Sequence, residues 1–168
     1  GYPRRWAGKS VLLELFMRRR VGPCFESLGG PRCSLSLDLL HGWNADLWED
    51  RSALLQWIRS GEPEVAVGCP PCKMFSQLQQ SNKNRMPRTR WHDMMAQATI
   101  YLDFSMFVFH LQCEAHRGFA SEHPAGAGSW REDSVQFIMS TIGVTTVTFD
   151  QCRFGLRHPN GRRSERES

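Results

Sequence analysis

Glu64-Val65-Ala66-Val67-Gly68-Cys69-Pro70-Pro71-Cys72 is the stretch on which the fold turns. An apolar, β-branched run closed by glycine reads as a buried strand. It runs straight into a turn stiffened by two prolines, whose rings fix φ. Upstream, residues 11–16 and 33–38 are further short apolar runs, the second alternating and ending on Asp38. Downstream, residues 118–122 form a strand pattern stopped by His123-Pro124, and the β-branched run 144–149 predicts a fifth strand. Between these lie helical patterns: residues 51–60 with Asp50 as N-cap, residues 91–117 without an internal glycine or proline, and residues 134–141. Residues 76–90 are polar and basic without periodicity and read as a mobile loop. Strands alternating with helices predict right-handed βαβ units and a parallel sheet of the α/β class. In such sheets ligands sit beyond the carboxyl ends of the strands. Asp38, Cys72, Glu122, Gln151 and Arg153 all end or follow predicted strands.

Bulk composition agrees with one globular domain. The chain has 168 residues, 40% hydrophobic and 23% charged. No stretch has the length and apolarity of a bilayer span. The chain opens on Gly1 rather than Met, so a fragment or processed product is expected, and no apolar run near the start resembles a signal peptide. The six cysteines are expected to be reduced thiols in an intracellular protein, nuclear if the cell is eukaryotic. The formal charge is +4 and arginine dominates it. Clusters at Arg4, Arg5 and Arg18 to Arg20, at Lys83, Arg85, Arg88 and Arg90, and at Arg157, Arg162, Arg163 and Arg166 suit phosphate contacts, or equally solvated loops.

The residues that carry chemistry are Cys72 and Glu122. A thiolate is a strong nucleophile, and a carboxyl beside it can hold or donate a proton. Together they suit addition to a pyrimidine ring, with the thiol at C6 and the acid at N3, leaving C5 nucleophilic. Taken alone, Cys72 is more readily a structural cysteine in a tight turn. Trp6, Trp43, Trp48, Trp57 and Trp91 and the helical Met94, Met95 and Met106 read as packing residues, and no histidine is assigned to metal.

Several strings, in this order along the chain, resemble the cytosine-5 DNA methyltransferases. Leu13-Glu14-Leu15-Phe16 is similar to the start of that family's cofactor loop. Pro70-Pro71-Cys72-Lys73-Met74-Phe75-Ser76 is similar to its Pro-Pro-Cys-Gln-x-Phe-Ser motif. Glu122-His123-Pro124 resembles its Glu-Asn-Val or Glu-Asn-Pro motif, and Gln151-Cys152-Arg153 the start of its Gln-x-Arg-x-Arg motif. The resemblance implies a Rossmann-like, mostly parallel sheet with flanking helices, of the S-adenosylmethionine-dependent methyltransferase type. It implies a catalytic domain over residues 11–157, an N-terminal extension over 1–10 and a disordered basic tail over 158–168. The implied activity transfers a methyl group from S-adenosylmethionine to a cytosine flipped out of DNA. Cys72, Glu122 and Arg153 would be catalytic. Glu14, Phe16, Asp38, Asp46 and Pro70 would meet the cofactor, and Ser76, Lys83, Arg85, Arg88 and Gln151 the DNA.

The chain departs from the family's pattern at identifiable residues. Arg18, Arg19 and Arg20 stand where the family has small residues and glycines, and they crowd the cofactor's methionine end unless the loop turns away toward Gly22. Lys73 replaces the glutamine, His123 the asparagine, and Gly155 the second arginine. The target-recognition region is not in this sequence, so a partner or other segments of a larger polypeptide are expected to supply it. Two alternatives differ in class. Cys69-Pro70-Pro71-Cys72-Lys73 resembles the Cys-x-x-Cys-Lys string of thioredoxin-like thiol–disulfide oxidoreductases, which require antiparallel strands in the second half of the sheet. A non-catalytic nucleic-acid-binding remnant would keep the basic residues and lose the cofactor. A zinc site built on Cys69 and Cys72 is disfavoured by the two intervening prolines.

Overall fold

In the computed structural model, the described residues are 12–16, 23–24, 27, 34–37, 42–60 and 63–150. Asp38, Gln151, Arg153 and the arginines at 18–20 lie outside them. The sheet contains β1 (Leu12–Leu15), β2 (Ser34–Leu37), β3 (Val65–Gly68) and β4 (Gly118–Ser121), in the order β2-β1-β3-β4. Every pairing among them is parallel. The helices are α1 (Trp48–Arg59), α2 (Gln77–Ser81), α3 (Arg88–Glu114) and α4 (Asp133–Met139). The α/β class and the parallel sheet expected from the sequence are therefore present. No helix among the described residues is long and apolar enough to cross a membrane.

Strand order locates the site before any side chain is considered. From β1 the chain moves to one side to make β2, then returns to make β3 on the other side of β1. The gap between β1 and β3 is thus a topological switch point, where ligands of open α/β sheets bind beyond the carboxyl ends. Phe16 follows β1 there, and Cys69-Pro70 follows β3. The ladder holds these exits in register, with Phe16 N–H donating to Leu37 O at 3.0 Å and Cys69 N–H to Leu15 O at 3.2 Å.

The core lies between the sheet and α3. Leu13, Leu15 and Ala66 of the strands pack in one cluster with Leu102, Met106, Val108 and Phe109 of α3 and with Leu54 and Ile58 of α1. Apolar residues occur all round α3, so it is covered on more than one face. Close approach of α3 to the sheet depends on Gly68, where a Cβ would sit 2.8 Å from Phe109 Cζ. Phe109 stacks in turn on Phe119 of β4, with centroids 4.8 Å apart. Buried Gln112 ties the end of α3 to the sheet by donating to Pro63 O at 3.1 Å and Gly118 O at 3.3 Å.

Four expectations are corrected. Residues 76–90 are not an irregular loop: they hold α2, the 3-10 turn Lys83–Arg85 and the first turn of α3. Ser76 explains the start, because its Oγ accepts from Gln79 N–H at 3.2 Å and caps α2. Asp50 is not an N-cap; α1 begins at Trp48, and the buried Asp50 carboxylate accepts the Asn44 N–H at 2.7 Å, closing the preceding loop. Residues 144–149 are not a fifth strand: among the described residues, no backbone hydrogen bond joins them to β4. Thr146, Val147 and Phe149 instead line, together with Ala120 and Ser121, a cavity of about 620 Å³. Their β-branched composition favours extended backbone, but a strand also needs a partner within hydrogen-bonding distance. Finally, Trp48 is not a packing residue; it is 66% exposed, with the Arg51 guanidinium 6.0 Å from its ring, whereas Trp43 and Trp91 are buried.

Candidate active site at the carboxyl ends of the parallel strands

The Cys72 turn is built by what lies beneath it. Cys72 precedes the 3-10 turn Lys73–Phe75, in which Met74 and Phe75 are buried. Those two side chains anchor the turn on the core, and Phe75 N–H donates to Cys72 O at 3.0 Å. Pro70 is buried, Pro71 is exposed and Cys72 is half-buried, so the thiol-bearing residue stays at the surface of a fixed loop. Ser76 Oγ donates back to Lys73 O at 2.8 Å while it caps α2, which commits this side chain to the fold.

Glu122 arrives from the neighbouring strand. Its N–H donates to Gly68 O at 3.2 Å and extends the β3–β4 ladder one step beyond β4. That bond sets Glu122 beside Cys69. Burial, followed by the Glu122 carboxylate as charge and hydrogen-bond acceptor, pushes the Cys69 thiol from 9.0 up to about 11. Cys72 also acts on Cys69 through its charge. Cys69 therefore lies against Glu122, and Cys72 is near Cys69 at the same rim of the sheet.

His123 fastens the two strand exits together. Its Nε2 lies 3.0 Å from Pro70 O, and its Nδ1 lies 2.6 Å from Ser129 Oγ. Desolvation holds its pKa below the ordinary 6.5, against the opposing pull of Pro70 O and Glu122. The segment after it packs closely on the Cys72 loop: a Cβ on Gly128 would lie 3.5 Å from Phe75 O, and one on Gly126 would lie 2.9 Å from Gln77 Nε2.

At the β1 exit, Phe16 takes a left-handed conformation, φ 58°. Its ring meets Trp43 edge-on at 5.4 Å and Tyr101 at 5.3 Å. Tyr101 donates to Asp46 Oδ1 at 2.6 Å, and Gln97 Nε2 donates to the same carboxylate at 3.1 and 3.2 Å. Burial, then this contact with Asp46, raises the Tyr101 hydroxyl from 10.0 to about 12. Phe16 and the exposed Asp46 are thus joined through Tyr101. Glu14 lies inside β1, fully buried, and accepts from Ser36 Oγ at 2.7 Å.

The structure accordingly gathers Cys72, Glu122 and Pro70 at one rim, with Phe16 and Asp46 at the adjacent exit. Lys83, Arg85 and Arg88 are exposed, and Lys83 Nζ lies 6.0 Å from the Trp91 ring. The sequence reading passed over Cys69, except as half of a dithiol, and over His123, except as a replacement for asparagine. A polar residue directly after Glu122 was the available signal; nothing in the sequence pointed to Ser129 or Tyr101. Among the described residues, no group of three or more His, Cys, Asp or Glu side chains is placed to hold a metal ion. No protein-family model, curated protein or solved structure matches the chain.

Proposed function

We propose that this chain is the catalytic region of a cytosine-5 DNA methyltransferase. The observation that carries the reading is the fastening of the Cys72 loop to the Glu122 strand end at neighbouring carboxyl termini of a parallel sheet. Bound S-adenosylmethionine would supply an electrophilic methyl group. An aromatic face and a carboxylate are what a nucleoside needs for stacking and for its ribose hydroxyls, and Phe16 and Asp46 offer both beside the switch point. Pro70 follows β3 at the other side of the switch point.

The chain's own residues would then work as follows. The Cys72 thiolate adds to C6 of a flipped cytosine, breaking the C5–C6 double bond. A proton delivered to N3 through the Glu122 carboxyl lets the electron pair be held as an enamine with a nucleophilic C5. Phe16, Asp46 and Pro70 would hold S-adenosylmethionine, whose electrophilic methyl group C5 would accept. A solvent water or hydroxide then removes the C5 proton, the Cys72 sulfur leaves as thiolate as the C5–C6 double bond re-forms, and N3 returns its proton to Glu122. Exposed Lys83, Arg85 and Arg88 supply positive charge for phosphate. Two features weigh against a thioredoxin-like oxidoreductase: the strand pairings are parallel, and the Cys69 thiol is raised, whereas that chemistry needs a lowered one.

The test is covalent trapping on DNA containing 5-fluorocytosine in the presence of S-adenosylmethionine. Fluorine at C5 cannot be eliminated as a proton, so the enzyme stays attached. A denaturation-resistant adduct that disappears in Cys72→Ser is expected. No adduct from protein that demonstrably binds the cofactor would defeat the reading; DNA binding without cofactor binding would favour the non-catalytic remnant.

A further inference from the structure

We propose that His123 is a positioning residue: a neutral imidazole, protonated at Nε2, that sets the spacing between the Cys72 loop and Glu122. The inference deepens the methyltransferase reading and, for its activity arm, rests on it. Three observations carry it. Pro70 O can only accept, so the 3.0 Å contact requires the proton on Nε2. Burial favours the neutral ring, in which Nδ1 is then an acceptor that the Ser129 hydroxyl satisfies from 2.6 Å. Ser129 is buried and cannot turn to bulk water, so this match of one donor and one acceptor fixes the tautomer.

The ring is also held from the side. Trp130 lies edge-on to it at 6.2 Å, and Trp130 Nε1 donates to Pro124 O at 2.8 Å, closing the loop that carries Ser129. On the other side, Pro70 and Pro71 have restricted φ, so displacement of the Pro70 carbonyl is passed on to Cys72 rather than absorbed between them. Glu122 adjoins His123 in the chain and is pinned to Gly68 by the ladder. One imidazole therefore bridges the carrier of the proposed nucleophile and the carrier of the proposed acid. His123 reaches neither base nor methyl group; it acts through both loops.

Two variants separate this role from simple packing. Glutamine places an amide donor near the position of Nε2 and keeps the Pro70 bond; leucine fills similar volume without it. In wild-type protein at neutral pH, nitrogen NMR should show Nε2 protonated and Nδ1 bare. Amide hydrogen exchange across residues 69–76 should accelerate about tenfold in His123→Leu, as expected for one lost net hydrogen bond, and return to near the wild-type rate in His123→Gln. With cofactor at saturation, the 5-fluorocytosine adduct should form about 100-fold more slowly in His123→Leu and recover in His123→Gln, because misplacement of about an ångström costs that much. An Nδ1-protonated ring, wild-type exchange in His123→Leu, or a glutamine variant as fast-exchanging as leucine would each overturn the proposal. If wild-type protein forms no adduct, the methyltransferase reading fails, while the tautomer and the exchange rates still decide the role of His123.

Discussion

At Cys69 two causes of one pKa shift can be separated. Burial is the larger and the Glu122 carboxylate the second, and together they raise the thiol to about 11. Thiolate, not thiol, reacts with alkylating agents. Iodoacetamide labelling of Cys69, followed by peptide mass spectrometry, should therefore show a pH–rate midpoint near 11 in the folded protein. Glu122→Gln removes the charge but leaves the burial. Its midpoint should fall only part of the way toward 9.0, the ordinary thiol value. A wild-type midpoint near the ordinary value would show that the thiol does not sit against Glu122 as described. The placement of Cys72 and Glu122 at neighbouring strand exits was legible from sequence, because each follows a run that reads as a strand of a parallel sheet. The Cys69–Glu122 contact was not, because it depends on the register of β3 against β4, which no local pattern encodes.

At the scale of elements, the end of α3 shows a motif formed by an unusual residue. Arg117 N–H donates to Gln112 O at 2.8 Å and His116 N–H to Cys113 O at 3.0 Å, the paired bonds of a Schellman ending. The left-handed position is occupied by His116, φ 53°, where glycine is the usual residue. His116→Gly should stabilise the fold by about 0.5–1 kcal/mol, read as a higher urea midpoint at unchanged slope. The opposite is expected at the strand–helix contact. Gly68→Ala would drive a methyl group against the buried Phe109 ring, which is enclosed and unable to swing aside. A destabilisation of roughly 1–3 kcal/mol follows from overpacking. Element types were readable where local composition decided them, as in the long stretch of α3 without glycine or proline and the β-branched run of β3. Boundaries and caps were harder to read: Asp50 has the chemistry of an N-cap, but the Asn44 N–H claims its carboxylate first.

Across the whole molecule, the site couples to stability through its shifted groups, and the signs differ: His123 is lowered, whereas Cys69 and Tyr101 are raised. The His123 pKa is lowered by folding, so its contribution is complete above 6.5 and is lost as pH falls through the depressed folded value. Cys69 is raised, so its contribution is complete below 9.0 and is lost as pH rises through about 11. Urea denaturation over a pH series should therefore show a plateau between about 6.5 and 9.0 from these two groups, with a decline on each side. His123→Gln should lessen the acid limb, and Cys69→Ser should lessen the alkaline limb while leaving the part due to Tyr101, each variant leaving the opposite limb in place. If neither variant alters its limb, the site is not a structural part of the fold. The parallel sheet was legible at this scale because alternating strands and helices admit few other arrangements. Residues 144–149 were misread for the complementary reason: strand propensity is local, whereas pairing with β4 requires the two backbones to meet. Both sides of the plateau report on that larger arrangement, since His123 spans the exits of β3 and β4 and Cys69 lies between them.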